Sequence, residues 1–215
     1  MDAVIDNIDV ILRGFGATLL VTLLALVLAV VLGTATACFR VSPLKPLSAV
    51  GTAYVGMVRN TPLTVIFFMV VFGTPEVGLN ASFTAFAVVA LGVYTGPFIG
   101  EVLRSGIQGL HTGQGEAARS LGMSFGQSLR YVILPQAARD VVAPLGNVCI
   151  ATLKNSSVAM AFGVFEATAA GYTLANANAT AVIQILAAVA VGYLCLTSLA
   201  AVAIETVEHR VRIVR

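Results

Sequence analysis

Long apolar runs, separated by short polar segments, dominate the pattern of the chain. A membrane-spanning helix requires about 20 predominantly apolar residues. Four runs approach or exceed this length, at about 15–39, 54–72, 83–103 and 180–204. Each predicts a helix that crosses a membrane.

A further run is interrupted by polar residues. Residues 141–153 are apolar, the segment Lys154, Asn155, Ser156 and Ser157 follows, and apolar residues resume at 158–165. Non-helical backbone at membrane depth is tolerated only where protein buries it or where it lines a watery cavity. The interruption therefore predicts a fourth span that is broken, and it suggests a transport path. The small, polar stretch 166–180 predicts an outer loop or a short surface helix.

Composition agrees with an integral membrane protein. Hydrophobic residues make up 58% of the 215 residues and charged residues only 10%, and the mean hydropathy is +0.95. A soluble domain has about 25% charged residues. The net charge of +2 gives no indication of nucleic-acid binding. The acidic start and the length of the first run favour a retained span over a cleaved signal peptide.

The distribution of basic residues predicts the orientation of the chain. Lys and Arg are enriched in cytoplasmic loops. In this chain they occur after the first span, between the third and fourth spans, and in the tail: Arg40, Lys45, Arg104, Arg119, Arg130, Arg139, Arg210, Arg212 and Arg215. The segments on the other side carry mainly acidic residues: Asp2, Asp6, Asp9, Glu76 and Glu166. We predict five spans, an external N-terminus and a cytoplasmic C-terminus, in one domain (1–215).

The polar segment at about 104–139 contains a helix, a glycine turn and a second helix. Glu116 suits a helix start, Gly122 suits a left-handed helix end, and Ser124 with Gln127 has the capping-box spacing. Pro135 then marks the start of the next span. The segment has no phosphate-binding GxxxxGK[ST] loop, and the chain has no catalytic or metal-binding set of residues. These features predict a docking element, or a linker that folds by itself, on a chain that is not an enzyme.

This segment resembles the EAA loop of ABC importer permeases. The sequence EAARSLG at 116–122 and the sequence VILP that ends at Pro135 carry the resemblance. The stretches at 54–65, 100–122 and 144–157 look like the polar amino acid permeases. RVSPLK at 40–45 and RNTPLT at 59–64 look most like the smaller permease subunit of actinobacterial glutamate importers.

The resemblance implies a type I ABC importer permease fold, in a multi-pass protein of the bacterial cell membrane. It implies pairing with a second, related permease, docking on an ABC ATPase dimer that binds ATP and Mg²⁺, and delivery of an amino acid, glutamate by preference, from an external binding protein. This chain itself would bind no cofactor. The family's contact with the ATPase would fall on Glu116, Ala117, Ala118 and Gly122.

Polar and charged residues within the spans are candidates for the substrate path. They are Arg59, Asn60, Thr61, Glu101, Asn147, Lys154, Asn155, Ser156 and Ser157. The structural alternative for Arg59 and Glu101 is snorkelling to the membrane interface or pairing with each other. For Asn60, Thr61 and Asn147 it is hydrogen bonding between helices. Pro62 is expected to kink its helix. Lys154 could contact a substrate carboxylate or hold the broken helix in place. An ATPase-independent secondary transporter or channel is the alternative function, although such proteins often show internal repeats.

Overall fold

The computed structural model describes residues 2–110 and 112–211, and within these ranges every regular element is helical. In chain order the elements are α1 (Asp2–Ile5), α2 (Ile8–Val41), α3 (Lys45–Arg59), α4 (Leu63–Phe68), a π-helical turn (Met69–Gly73), α5 (Thr74–Glu76), α6 (Phe83–Gln108), α7 (Thr112–Ser120), α8 (Phe125–Ser128), a second π-helical turn (Leu129–Ile133), α9 (Leu134–Asp140), α10 (Val142–Asn155), a 3₁₀ segment (Ser156–Phe162), α11 (Ala167–Ala177) and α12 (Val182–Val211).

In the part of the chain that the structure describes, three single helices are long and apolar enough to cross a membrane. They are α2, α6 and α12, and two bent helix pairs raise the number of candidate spans to as many as five. The predicted first, third and fifth spans are confirmed as helices. The first is longer than predicted because helical structure begins at Ile8, in the acidic N-terminal segment.

The second span is bent next to Pro62, as the proline predicts, and the bend is sharp. Helix α3 ends at Arg59, and the helical stretch that resumes at Leu63 is bent by 106° from it. Pro62 disfavours helical backbone at the preceding residue. The Asn60 amide donates to the Gly56 carbonyl at 2.8 Å, and the Thr61 hydroxyl donates to the Met57 carbonyl at 2.7 Å. Both side chains donate within their own helix end, so the structure shows neither of them in the hydrogen bonds between helices that were their structural alternative.

The fourth span is broken, as its polar interruption predicts. Regular α-helix ends at Asn155 and gives way to the 3₁₀ segment. Gly163 then adopts a left-handed conformation with φ 78°, and the chain bends by 49° into α11. Helix α11 is not a surface helix, because its small side chains pack inside the bundle: Ala167, Ala170, Gly171, Leu174 and Ala175 are buried.

Helices α2 and α6 meet in a seam where their backbones approach closely. A methyl carbon placed on Gly33 would lie 2.8 Å from the Gly96 carbonyl oxygen, and one placed on Gly100 would lie 3.0 Å from the Gly33 carbonyl oxygen. Small residues allow helix backbones in membranes to approach this closely. The seam therefore requires glycine on both helices.

Two apolar clusters flank this seam. One surrounds Phe67, whose ring stacks on Phe162 with centroids 5.0 Å apart, and it joins α4 and α6 to the 3₁₀ segment. The other surrounds Ile185 and joins α2, α11 and α12. The fold thus carries α11 between the first and last long helices.

Candidate functional site

The coupling segment, which we define as residues 112–134, has the helix, glycine turn and helix that the sequence predicts. Helix α7 ends in a Schellman motif: the Gly122 amide donates to the Arg119 carbonyl at 2.9 Å, and the Met123 amide donates to the Ala118 carbonyl at 3.1 Å. Gly122 has φ 77°, a conformation that glycine adopts without steric cost. The Ser124–Gln127 capping box is present at the start of α8.

Two details of the coupling segment differ from the prediction. Helix α7 begins at Thr112, so Glu116 lies in its second turn and does not stabilise the helix start. Pro135 begins no span, because α9 intervenes before α10 starts at Val142. The local pattern places the start of α7 too late because the glycines at 113 and 115 suggest a loop, whereas the structure accommodates them in the helix. Pro135 suits the first turn of a helix, but that helix is the short α9.

Some side chains of the coupling segment are exposed, and others pack against the rest of the chain. Glu116 and Ala117 are exposed, whereas Ala118 is only 3% exposed and packs within the chain. Beside them, Leu121 is 82% exposed and Phe125 is 79% exposed. We call Glu116, Ala117, Leu121 and Phe125 the coupling surface. The sequence analysis missed the two large apolar residues, although apolar residues next to a capped glycine turn were a signal for them.

A second candidate is a row of residues along α10. Pro144, Asn147, Ala151 and Lys154 are all exposed, and they follow the i, i+3, i+7, i+10 spacing of one helix face. We call this row the α10 stripe. The structure shows no ion pair for the Lys154 ammonium group among the residues it describes.

The other polar residues of the broken span do not all join this stripe. Ser156 is fully buried and its hydroxyl donates to the Leu153 carbonyl at 2.7 Å. The Ser157 hydroxyl donates to the Lys154 carbonyl at 2.8 Å, and Asn155 is half-buried. Both hydroxyls thus satisfy backbone carbonyls at the end of α10.

Arg59 and Glu101 lie together in a group of four charged residues. The Glu101 carboxylate accepts hydrogen bonds from Arg40 and from Arg104, whose Nε is 3.1 Å from Oε1 and whose Nη2 is 3.2 Å from Oε2. The Arg59 guanidinium lies 3.7 Å from the same carboxylate and 5.4 Å from the centroid of the Phe98 ring. This arginine cluster joins the ends of α2, α3 and α6, and it confirms that Arg59 pairs with Glu101.

A buried carboxylate at Glu166 escaped the sequence analysis, which placed this residue in an outer loop. Its side chain is fully buried. The Ala169 amide donates to Oε1 at 2.7 Å and the Thr168 amide donates to Oε2 at 2.9 Å, so Glu166 caps the start of α11. The Tyr193 hydroxyl at 2.8 Å and the Thr18 hydroxyl at 3.4 Å also donate to Oε2. Glu166 thereby connects α2, α11 and α12.

A helical bundle with broken spans, and a capped polar segment projecting from it, define the class of membrane transport permeases. The chain belongs to the family described as the binding-protein-dependent transport system inner membrane component, whose model matches residues 25–213. This membership confirms the predicted family and its place in the bacterial plasma membrane.

Individual relatives cover most of the chain. It is 40% identical to the probable glutamine ABC transporter permease protein GlnM of Bacillus subtilis, over 95% of this chain and 94% of that protein. It is 39% identical to the glutamate transport system permease protein GluC of Corynebacterium glutamicum, over 87% of each. It is 30% identical to the glutamate/aspartate import permease protein GltJ of Escherichia coli, over 93% of this chain and 86% of that protein.

Solved structures show the same fold. An amino acid ABC transporter crystallised with histidines matches with a TM-score of 0.91 and 30% identity, over 96% of each chain. The inward-facing MetNI methionine ABC transporter matches with a TM-score of 0.79 and 24% identity, over 97% of this chain and 99% of that one. The predicted type I permease fold is therefore confirmed.

Proposed function

We propose that this chain is the transmembrane subunit of an ATP-driven importer for an acidic amino acid or its amide, with glutamate as the first choice. The names of its relatives support this solute class, since they specify glutamine, glutamate or aspartate. In this proposal an external binding protein delivers the solute, and a second, related permease completes the pathway. The N-terminus lies outside and the C-terminus lies in the cytoplasm.

The observation that carries the proposal is the exposure of two large apolar side chains on the coupling surface. Leu121 and Phe125 are among the most exposed large apolar side chains of the chain, yet they lie in a polar segment beyond the long helices. Exposed apolar groups rimmed by polar residues mark interaction sites. A groove on an ATPase subunit would cover them, with Glu116 and Ala117 beside them, and nucleotide-driven closure of the ATPase dimer would move the two coupling segments together.

The α10 stripe supports a path for an anionic or polar solute. Ionisable side chains within spans almost always face a bundle interior or a watery cavity. Lys154 is exposed in this single chain, so a second permease packed opposite α10 would enclose it in such a cavity. There its ammonium group would attract the carboxylate of the solute, and Asn147, two turns away, would supply an amide.

Backbone geometry at Gly122 offers a sharp test of the coupling role. Proline fixes φ near −65°, which is incompatible with the observed 77°, and it also removes the amide that bonds to Arg119. We expect Gly122→Pro to abolish ATP-dependent glutamate and glutamine uptake in proteoliposomes that contain the binding protein and the ATPase. Membrane insertion should stay normal, because the long helices are unaffected.

Two alanine variants provide the matched comparison. A methyl group on Gly122 or on Gly126 would meet no atom within 4 Å, but only Gly122 has positive φ. Gly122→Ala should therefore reduce uptake and capture of the ATPase, and Gly126→Ala should leave both unchanged. Normal uptake by Gly122→Pro would refute the coupling role. Uptake that persists without ATP and collapses with an ion gradient would instead support the secondary-transporter alternative.

A further inference from the structure

The arginine cluster carries more positive charge than its one carboxylate can neutralise. Three guanidinium groups, on Arg40, Arg59 and Arg104, surround Glu101. Three positive charges and one negative charge leave a net charge of +2. Such an excess at the end of a membrane bundle is costly unless water or an anion compensates for it.

The three arginines do not share the carboxylate equally. Arg40 and Arg104 hydrogen bond to it, and their side chains are mostly buried. Arg59 lies at 3.7 Å, beyond hydrogen-bond distance, and its side chain is 43% exposed. The Phe98 ring supports its guanidinium from one side. Arg59 is thus held in place with donors that Glu101 does not satisfy.

Arg59 lies at one edge of the exposed side of α3. It is the last residue of α3, and the same helix exposes the large apolar residues Val50 and Met57. The neighbouring polar groups are already engaged, because Asn60 and Thr61 donate to carbonyls of α3. An anion that binds here therefore meets guanidinium donors above all, next to an exposed apolar helix surface.

We propose that the arginine cluster binds the phosphodiester headgroup of an anionic phospholipid, with Arg59 as the principal contact. Guanidinium groups match phosphate oxygens geometrically and are more weakly hydrated than ammonium groups. Basic pockets between membrane helices bind anionic headgroups. The acyl chains would lie along the exposed side of α3. The site shares no residue with the α10 stripe, so its test does not depend on the proposed solute path.

Lipid binding to the purified full-length chain, with any subunits that copurify, tests this proposal. The probes are phosphatidylglycerol and phosphatidylcholine with identical acyl chains, titrated in a zwitterionic detergent and measured by native mass spectrometry. The chain should bind phosphatidylglycerol preferentially, and the preference should shrink at high ammonium acetate concentration. Arg59→Gln should weaken phosphatidylglycerol binding about fivefold.

Two further variants separate a specific site from a general charge effect. Arg59→Lys keeps the charge but loses the planar guanidinium group, so it should recover only part of the phosphatidylglycerol binding. Arg13→Gln removes one positive charge near the start of α2, at the other end of this helix from Arg40, where Arg13 pairs with Asp9 on the surface. It should leave phosphatidylglycerol binding unchanged. Equal phosphatidylglycerol binding by Arg59→Gln and the unmodified chain would overturn the proposal. Displacement of the lipid by millimolar inorganic phosphate or glutamate would also overturn it, because the site would then take a free anion.

Discussion

Glu101 and Glu166 are carboxylates in the same bundle, yet their surroundings are opposite in kind. Glu101 is partly exposed and is surrounded by the guanidinium groups of Arg40, Arg59 and Arg104. Glu166 is fully buried, and four hydrogen-bond donors, none of them cationic, surround its oxygens. One carboxylate is stabilised by opposite charge and the other by dipoles.

The difference shows two ways in which a membrane helix bundle stabilises a carboxylate. Backbone amides at a helix start place partial positive charge next to a carboxylate. At Glu166 they stabilise the buried carboxylate without a buried cation beside it. At Glu101 the surplus of cations makes the site attractive to further anions. The first arrangement fixes the packing of helices, whereas the second leaves binding capacity at the surface.

The largest expected effect comes from Glu166→Ala. The substitution leaves the Thr168 and Ala169 amides without their acceptor and opens a cavity between three helices. We expect a loss of about 3–5 kcal/mol in the free energy of unfolding, seen as a lower melting temperature in detergent. The exposed Glu76 on α5 is the matched control, and Glu76→Ala should change stability by less than about 0.5 kcal/mol. Similar losses for both would contradict the buried cap.

A smaller loss is expected for Glu101→Gln. Neutralising this side chain leaves three guanidinium groups together, which we expect to cost about 2–3 kcal/mol, less than for a fully buried pair because water reaches the cluster. Salt screens exposed charges more than buried dipoles. The loss should therefore shrink in high salt, while the loss for Glu166→Ala should not. Identical salt responses in the two variants would remove the distinction between the sites.

The smallest effect is expected for Tyr193→Phe. This change removes one donor from Glu166 and leaves the two backbone amides in place, so it should cost about 1 kcal/mol. The Tyr193 ring also packs edge-on against Phe15 with centroids 5.4 Å apart, and phenylalanine preserves that contact. Combining it with Glu166→Ala should add little, because the Tyr193 hydroxyl then keeps only the Thr168 hydroxyl, 3.2 Å away, as a partner. Full additivity would show that the hydroxyl does not act through Glu166.

Much of the fold was predictable from local pattern. The three long helices follow from runs of apolar residues, and the coupling segment follows from Gly122 with the Ser124–Gln127 spacing. A kink at Pro62 was predictable, because proline and the residue before it disfavour helical backbone, but the full 106° bend was not. Apolar composition concealed it, because hydropathy measures burial in lipid and does not register backbone direction.

The sites were predictable in part, and the limit is distance along the chain. Glu101 was a candidate because a charged residue is conspicuous in an apolar run. Its partner Arg40 lies 61 residues away along the chain, so local pattern did not reveal the contact. Glu166 was missed because small polar residues follow it, and its partner Thr18 is 148 residues away. An acidic residue directly before the alanine-rich run 167–177 was the available signal for a helix cap.

The glycine seam between α2 and α6 has a mechanical consequence. Backbones in such close contact cannot slide or separate without losing dispersion contacts along their interface, so we expect α2 and α6 to move as one rigid unit. The coupling segment follows α6, which ends at Gln108. A displacement of α6 at that end would therefore move α2 with it, while the chain changes direction at the bends at 60–62 and 163–166.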